Sequence, residues 1–192
     1  MSKKSKLLIL CGTLLVLCSL ILLLSSEIIT EKSQKKTAEI LAYLEEVLPS
    51  ESVGSTDSYS SMQMPSLEVE GKNIIGIVEI PDSDVTLPIE SAEKESSFPF
   101  LPQRVSGTVY DNSLIVVGKD KKGQLDCLKK ADIGHSVTVS DMTGAKFSYI
   151  IERIERKKDV NTDILSDGQY DLTLFVQEES TMEYIVVRCK QK

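Results

Sequence analysis

"DLTLFVQEES", Asp171 to Ser180, is the stretch on which the reading of this chain turns. Leu172, Leu174 and Val176 alternate with Thr173 and Phe175, the pattern of a strand buried largely on both faces, and the run stops at Gln177, Glu178 and Glu179. A strand this apolar that ends in an amide and two carboxylates raises the question of what those polar groups do there.

Working outward, short β-branched runs separated by turn residues fill the chain from Leu67 to Lys192. Strands are predicted over Ile74 to Ile80, Val85 to Ile89, Ser113 to Val117, Ser136 to Ser140, Lys146 to Ile154, Asp171 to Val176 and Glu183 to Cys189, with a short helix over Leu125 to Lys130. Pro81, Asp111 to Ser113, Met142 to Gly144 and Ser166 to Gln169 supply the turns. Short strands without intervening long helices predict a mainly β domain, an antiparallel barrel or sandwich.

The first third of the chain is of another kind. "LLILCGTLLVLCSLILLL", Leu7 to Leu24, carries no charge, and with Ser25 and Ser26 it reaches the roughly 20 residues that span a bilayer. Lys3, Lys4 and Lys6 precede it, and Glu27 and Glu31 follow, so the expected topology is N-terminus cytoplasmic and C-terminal domain extracellular. A cleaved signal peptide is the rival; the length of the apolar run and the lack of an Ala-x-Ala site favour an uncleaved single-pass anchor in the cell membrane. Cys11 and Cys18 follow Leu residues, not the small residue of a lipoprotein cleavage site, and read as apolar helix positions.

Past the anchor, Ile40, Leu41, Leu44, Val47 and Leu48 recur at helical spacing, with Ser33 as a candidate cap and Pro49 beyond the last turn. "SESVGSTDSYSSMQMPS" is then too poor in aliphatic side chains to offset its ordering entropy and reads as a linker. The expected organisation is a cytoplasmic tail (1–6), a transmembrane anchor (7–26), an amphipathic helix (27–49), a Ser-rich linker (50–66) and a folded domain (67–192). A net charge of −7 argues against nucleic acid, whose binding is driven by basic surface. Cys127 and Cys189, the two thiols beyond the anchor, could form one disulfide, but this is no disulfide scaffold.

Four blocks in order, "GIVEIPDSDVTLPI" (Gly76 to Ile89), "LPQRVSGTVYDNSLIVVGKD" (Leu101 to Asp120), "LDCLKKADIGHSVTVSDMTGAKFSYIIERIE" (Leu125 to Glu155) and "YDLTLFVQ" running on to "YIVVRCK" (Tyr170 to Lys190), resemble a sortase of the class B-like kind found in Gram-positive bacteria. The resemblance covers about two thirds of the chain. It implies an eight-stranded β-barrel with short helices on a membrane tether, and a cysteine transpeptidase in which a Cys attacks a sorting-signal peptide, a His moves protons and an Arg steadies the substrate or oxyanion. Such chemistry needs a thiolate, a nearby cation and a donor facing the developing charge.

At the three positions that the resemblance marks, the residues are different. Lys119 stands in "VVGKD" where the family's His follows a Gly; Gln177 ends "LTLFVQ" where the family has its Cys; and the Arg position falls on Tyr184, or on Glu183 if the register is off by one. A carboxamide is not a nucleophile, and Lys119 as a base would have no thiol beside it to activate. The expectation is therefore a degenerate, catalytically inactive sortase homologue with no cofactor.

Other residues bear on the chemistry. Cys127, on the short helix after Lys119, is the alternative nucleophile of a divergent active cysteine transpeptidase, though packing is the plainer role for it. Cys189 reads as buried or disulfide-bonded, and His135, the single histidine, as a surface turn residue. Asp82 with Asp84, and Asp159 with Asp163, loosely resemble calcium-loop spacing but suit solvated turn caps, so no metal is expected. Arg188 is on the last strand but too late for the catalytic position, and reads as structural or a surface charge. The expected partners are the membrane and a sorting-signal peptide, a surface-protein or pilus precursor, or an active sortase; a stalked domain without ligand is the remaining reading.

Overall fold

The computed structural model describes residues 3–48, 52–53, 63–91, 101–160 and 168–192. A helix, α1 (Lys3–Val47), precedes ten strands among the described residues: β1 (Ser52–Val53), β2 (Leu67–Val69), β3 (Lys72–Ile80), β4 (Val85–Ser91), β5 (Gln103–Ser106), β6 (Leu114–Lys119), β7 (Ser136–Asp141), β8 (Ala145–Lys157), β9 (Leu172–Gln177) and β10 (Tyr184–Gln191). Among the described residues the 3₁₀ helices Pro81–Ser83 and Leu125–Lys130 sit between strands. The predicted linker (50–66) includes the short β1, which pairs in parallel with Ala145 and Lys146, and residues 54–62 lie outside the described residues.

The chain divides into two units, Met1–Lys36 and Thr37–Lys192. In the first, the backbone is helical across the predicted 7–26 span, where side chains are described for residues 12–19. Leu14, Leu15, Val16 and Leu17 are exposed in succession, hence on every side of the helix. Among the described residues no helix is long and apolar enough to cross a membrane. The amphipathic stretch is not a helix of its own: α1 runs unbroken to Val47, so Ser33 lies inside it rather than at an N-terminus. The reason is covalent, since no Gly or Pro occurs between Gly12 and Pro49 to stop a helix.

In the second unit, β8, β10, β9, β6, β5, β4 and β3 are neighbours in that order, and β7 bonds both β3 and β8. That closes eight strands into a barrel, to which β1 and β2 add at β8 and β3. The ring is mixed rather than antiparallel throughout, because β4 with β5 and β6 with β9 run parallel. A parallel pair needs a long crossover; that from β6 to β9 carries the 3₁₀ helix Leu125–Lys130, β7 and β8.

Alternation along the strands fills the barrel. Leu114 and Val116 of β6, Leu172, Leu174 and Val176 of β9, and Ile185, Val187 and Cys189 of β10 enter one core with Val78, Val139, Phe147 and Tyr149. Burying each large aliphatic side chain contributes about 1.5–3 kcal/mol. A second cluster forms where Ile40 and Leu44 of α1 pack on Val69, Ile74, Ile77 and Leu101. The sequence reading placed these helical residues on one stripe, and that stripe covers β2 and β3.

Two local devices shape the barrel near β6 and β7. Gly118 leaves room for Leu125, whose side-chain atoms would stand 2.5–2.9 Å from any Cβ placed there, so the 3₁₀ helix lies flat against the end of β6. Asp141 closes the turn from β7 to β8: one carboxylate oxygen accepts from the Thr143 amide (2.8 Å), the Thr143 hydroxyl (2.6 Å) and the Ala145 amide (3.0 Å). The other accepts from the buried Tyr110 hydroxyl at 2.6 Å. The group is fully engaged, which is what a buried carboxylate requires.

Candidate functional site

Strand register brings the three singled-out residues side by side. Lys119 is the Cα partner of Gln177 in the parallel pair of β6 and β9, and Gln177 is the partner of Tyr184 in the antiparallel pair of β9 and β10. Since Val176 and Ile185 point into the core, parity turns Gln177 and Tyr184 to the outer face of the barrel, and Lys119 with them. The register puts Tyr184, not Glu183, opposite Gln177. The row beneath is Val117, Phe175 and Val186, and the next is Ile115, Thr173 and Arg188.

The amide and carboxylates at the end of β9 are used in its own hairpin. Gln177 Nε2 donates to the Met182 carbonyl at 3.3 Å, and the Glu178 amide donates to the Glu183 carbonyl at 2.8 Å across the turn. The Glu178 carboxylate accepts from Thr181 Oγ1 and Arg156 Nη1, both at 2.8 Å; these partners, Thr181 first, hold its pKa below the usual carboxylate value. Asp120, next to Lys119, accepts from the Glu179 amide at 3.1 Å and pairs with Lys129. That hydrogen bond to Asp120 raises the Lys129 pKa. Asp120 thus ties the hairpin tip to the 3₁₀ helix. The sequence reading did not single it out; its only signal was a carboxylate just past a strand end.

Below the polar row the outer face is apolar and covered. Ile115, Phe175 and Val186 are 2%, 7% and 0% exposed and pack with Val117, Tyr184 and Val160; the Phe175 and Tyr184 rings lie 6.4 Å apart. Deeper still, Arg188 is 1% exposed. Its Nη1 donates to Thr173 Oγ1 at 3.1 Å, its Nε is 3.6 Å from Glu155 Oε2, and its guanidinium carbon lies 5.5 Å from the Tyr170 ring centroid. Of the readings open to it, structural or surface charge, the structural one holds: a buried cation must be paired.

The remaining candidates lie off this row. Cys127 is half-buried and free, with Sγ donating to the Gln124 carbonyl at 3.8 Å. Burial, then the Asp126 carboxylate, pushes its thiol from 9.0 up to about 11. Cys189 faces the barrel core; it is free too, and burial, then Glu152, raises it to about 12. The two thiols therefore form no disulfide. His135 belongs to the turn before β7, with Nδ1 3.8 Å from Asp82 Oδ2, and Asp82 also accepts from the Ser136 amide. Asp84 takes a left-handed backbone that ends the 3₁₀ helix Pro81–Ser83. Asp163 lies outside the described residues. Among the described residues no three His, Cys, Asp or Glu side chains converge as metal ligands would.

The closed eight-stranded barrel with parallel β6 and β9 is the fold of sortases. Solved structures with that fold align along much of the chain. Sortase A from Corynebacterium diphtheriae, a lid mutant, shares 15% identity over 85% of this chain and 94% of its own, with a TM-score of 0.53. Sortase C1 of GBS Pilus Island 1 shares 17% over 83% of each chain at 0.52. A Clostridium perfringens sortase D5 transpeptidase shares 15% over 62% of this chain and 79% of its own at 0.51. No family model matches the chain, and neither does any curated protein. The fold is shared; at such identities chemistry has to be argued from the site.

Proposed function

We propose that this chain is a membrane-anchored, extracellular, catalytically inactive sortase homologue that binds a sorting-signal-like peptide or an envelope partner on the outer face of β6, β9 and β10. One observation carries the proposal: Lys119, Gln177 and Tyr184 share one row, and none of the three is a thiol. The thiols elsewhere offer no substitute, since burial raises both Cys127 and Cys189 and so suppresses the thiolate that acyl transfer needs. A divergent transpeptidase acting through Cys127 is the competing reading. It requires an electropositive setting, whereas the charge raising that thiol is the Asp126 carboxylate.

Leu7 to Ser26 is proposed as the anchor, with the tail from Met1 to Lys6 cytoplasmic and the domain from Leu67 onward outside the cell. Leu14 to Leu17, exposed on every side of α1, suit lipid better than water. The binding reading is tested by titrating the full-length chain in detergent micelles with a synthetic sorting-signal peptide while following backbone amide shifts. Saturable shifts at Val117, Phe175 and Tyr184 support it. Shifts confined to other strands, or none at millimolar peptide, refute it.

A further inference from the structure

β2 ends the strand order and, among the described residues, pairs with β3 alone. The two strands are joined by Glu70 and Gly71, whose φ values of 51° and 77° are those of a two-residue turn of type I′, closed by Val69 and Lys72. In such a hairpin the closing pair carries the ladder bonds and the next pair, Glu68 and Asn73, does not. Glu68 therefore turns its amide and carbonyl away from β3, toward the open edge, where they are a template for one further strand. Beside that edge, within the unit Thr37–Lys192, a groove of about 280 Å³ runs between α1 and β2 and is lined by Glu39, Ile40, Tyr43, Glu68, Val69 and Glu70. Ile40 and Val69 are buried, whereas Tyr43 is 46% exposed. Among the described residues no ion pair engages Glu39, Glu68 or Glu70.

We infer that this edge and groove dock an extended basic segment of another protein, which adds to β2 as a strand and lays a Lys or Arg side chain against Tyr43 among the three acidic residues. The groove is smaller than the roughly 300–1,000 Å³ of small-molecule sites, so it suits one or two side chains of a strand and not a whole ligand. Backbone bonds to Glu68 supply affinity and the groove selects the side chain, as in other cases of strand addition. The lining selects a cation: the carboxylates are outside any ion pair among the described residues, the exposed Tyr43 ring attracts positive charge, and Ile40 with Val69 offers an apolar floor for the methylene stem. The internal stretches outside the described residues do not match that chemistry. Across 49–51, 54–62, 92–100 and 161–167, Lys94 is the one basic residue, against Glu51, Asp57, Glu93, Glu95, Asp163 and Asp167. The surface uses none of β6, β9 and β10, so the inference stands independently of the peptide-binding reading above.

The test titrates the full-length chain in micelles with the peptide acetyl-Val-Lys-Val-Lys-Val-Lys-amide and, in parallel, with its counterpart carrying Glu for every Lys, while backbone amide shifts are followed. The inference predicts saturable shifts at Tyr43, Glu68 and Val69 with the Lys peptide and none with the Glu peptide. Glu39→Gln combined with Glu70→Gln should raise the Kd by about tenfold or more, because charge-assisted bonds are lost. Glu68→Pro removes the outward N–H while sparing the bonds to β3, and should also raise the Kd by about tenfold or more. Equal binding of the Glu peptide, a Kd that Glu68→Pro leaves unchanged, or no shifts at millimolar peptide each overturn the inference. So does calcium chloride alone producing the same shifts, which would make the groove a cation site. Should Glu68→Pro fold poorly, hydrogen exchange at the Glu68 amide reads the same bond: the Lys peptide should slow it by about tenfold or more, and an unchanged rate overturns the inference.

Discussion

Alkylation of Cys127 separates an inactive scaffold from a relocated nucleophile, and its size can be worked out. Burial and Asp126 move this thiol from 9.0 to about 11. At pH 7 that lowers the thiolate fraction from about one in a hundred to about one in ten thousand, a loss of roughly a hundredfold. A more basic thiolate is more nucleophilic, and with a Brønsted slope near 0.4–0.5 two units restore about eightfold. The net effect of ionisation is about tenfold, and the partial burial of Cys127 slows access further. In the folded full-length chain Cys127 should therefore react with iodoacetamide at least about tenfold more slowly than the same thiol in the urea-unfolded chain, read site by site by mass spectrometry. A folded-state rate equal to or above the unfolded one, lost in Lys119→Ala, would refute the reasoning and make Cys127 an activated nucleophile.

Further expectations follow from other groups. Because folding keeps both Cys127 and Cys189 protonated above their ordinary 9.0, stability is fully present below pH 9 and falls as pH rises toward about 11 and 12; urea midpoints at pH 8 and 10 should differ, and less so in Cys127→Ala. Tyr110→Phe removes the 2.6 Å bond to buried Asp141 and should cost about 1–3 kcal/mol in urea unfolding; an unchanged midpoint would show that the bond contributes nothing. Gly118→Ala puts a methyl against Leu125 and should cost about 1–3 kcal/mol. Most of that loss should disappear when the same change is made in a Leu125→Ala background, whereas additive losses would place the strain elsewhere.

The sequence was legible where burial follows a period. β9 and β10 are apolar on their inner positions and partly so on their outer ones, so alternation located them within a residue or two; positions 119, 177 and 184 were marked by the resemblance, and only the strand register sets them in one row. β5 was not foreseen, because Gln103–Ser106 has one aliphatic residue and is held by its pairing with β4 and β6. The single helix α1 was read as two because the hydrophobic pattern changes character near Glu27 while nothing in the backbone chemistry interrupts it. The outer-face details were out of reach for a different reason. Asp120 acquires its role from an amide 59 residues away, and Val160 from strands that lie on both sides of it in the chain; neither partnership leaves a local pattern.

The central claim, that this chain forms no thioester with a sorting-signal peptide because Gln177 stands where the family has its Cys and burial keeps Cys127 and Cys189 protonated, is tested most directly by incubating the full-length protein with a sorting-signal peptide and weighing the intact chain. The account predicts an unmodified mass at every time point. A covalent species heavier by the acyl portion of the peptide, reversible by hydroxylamine and mapped to a thiol, would contradict it.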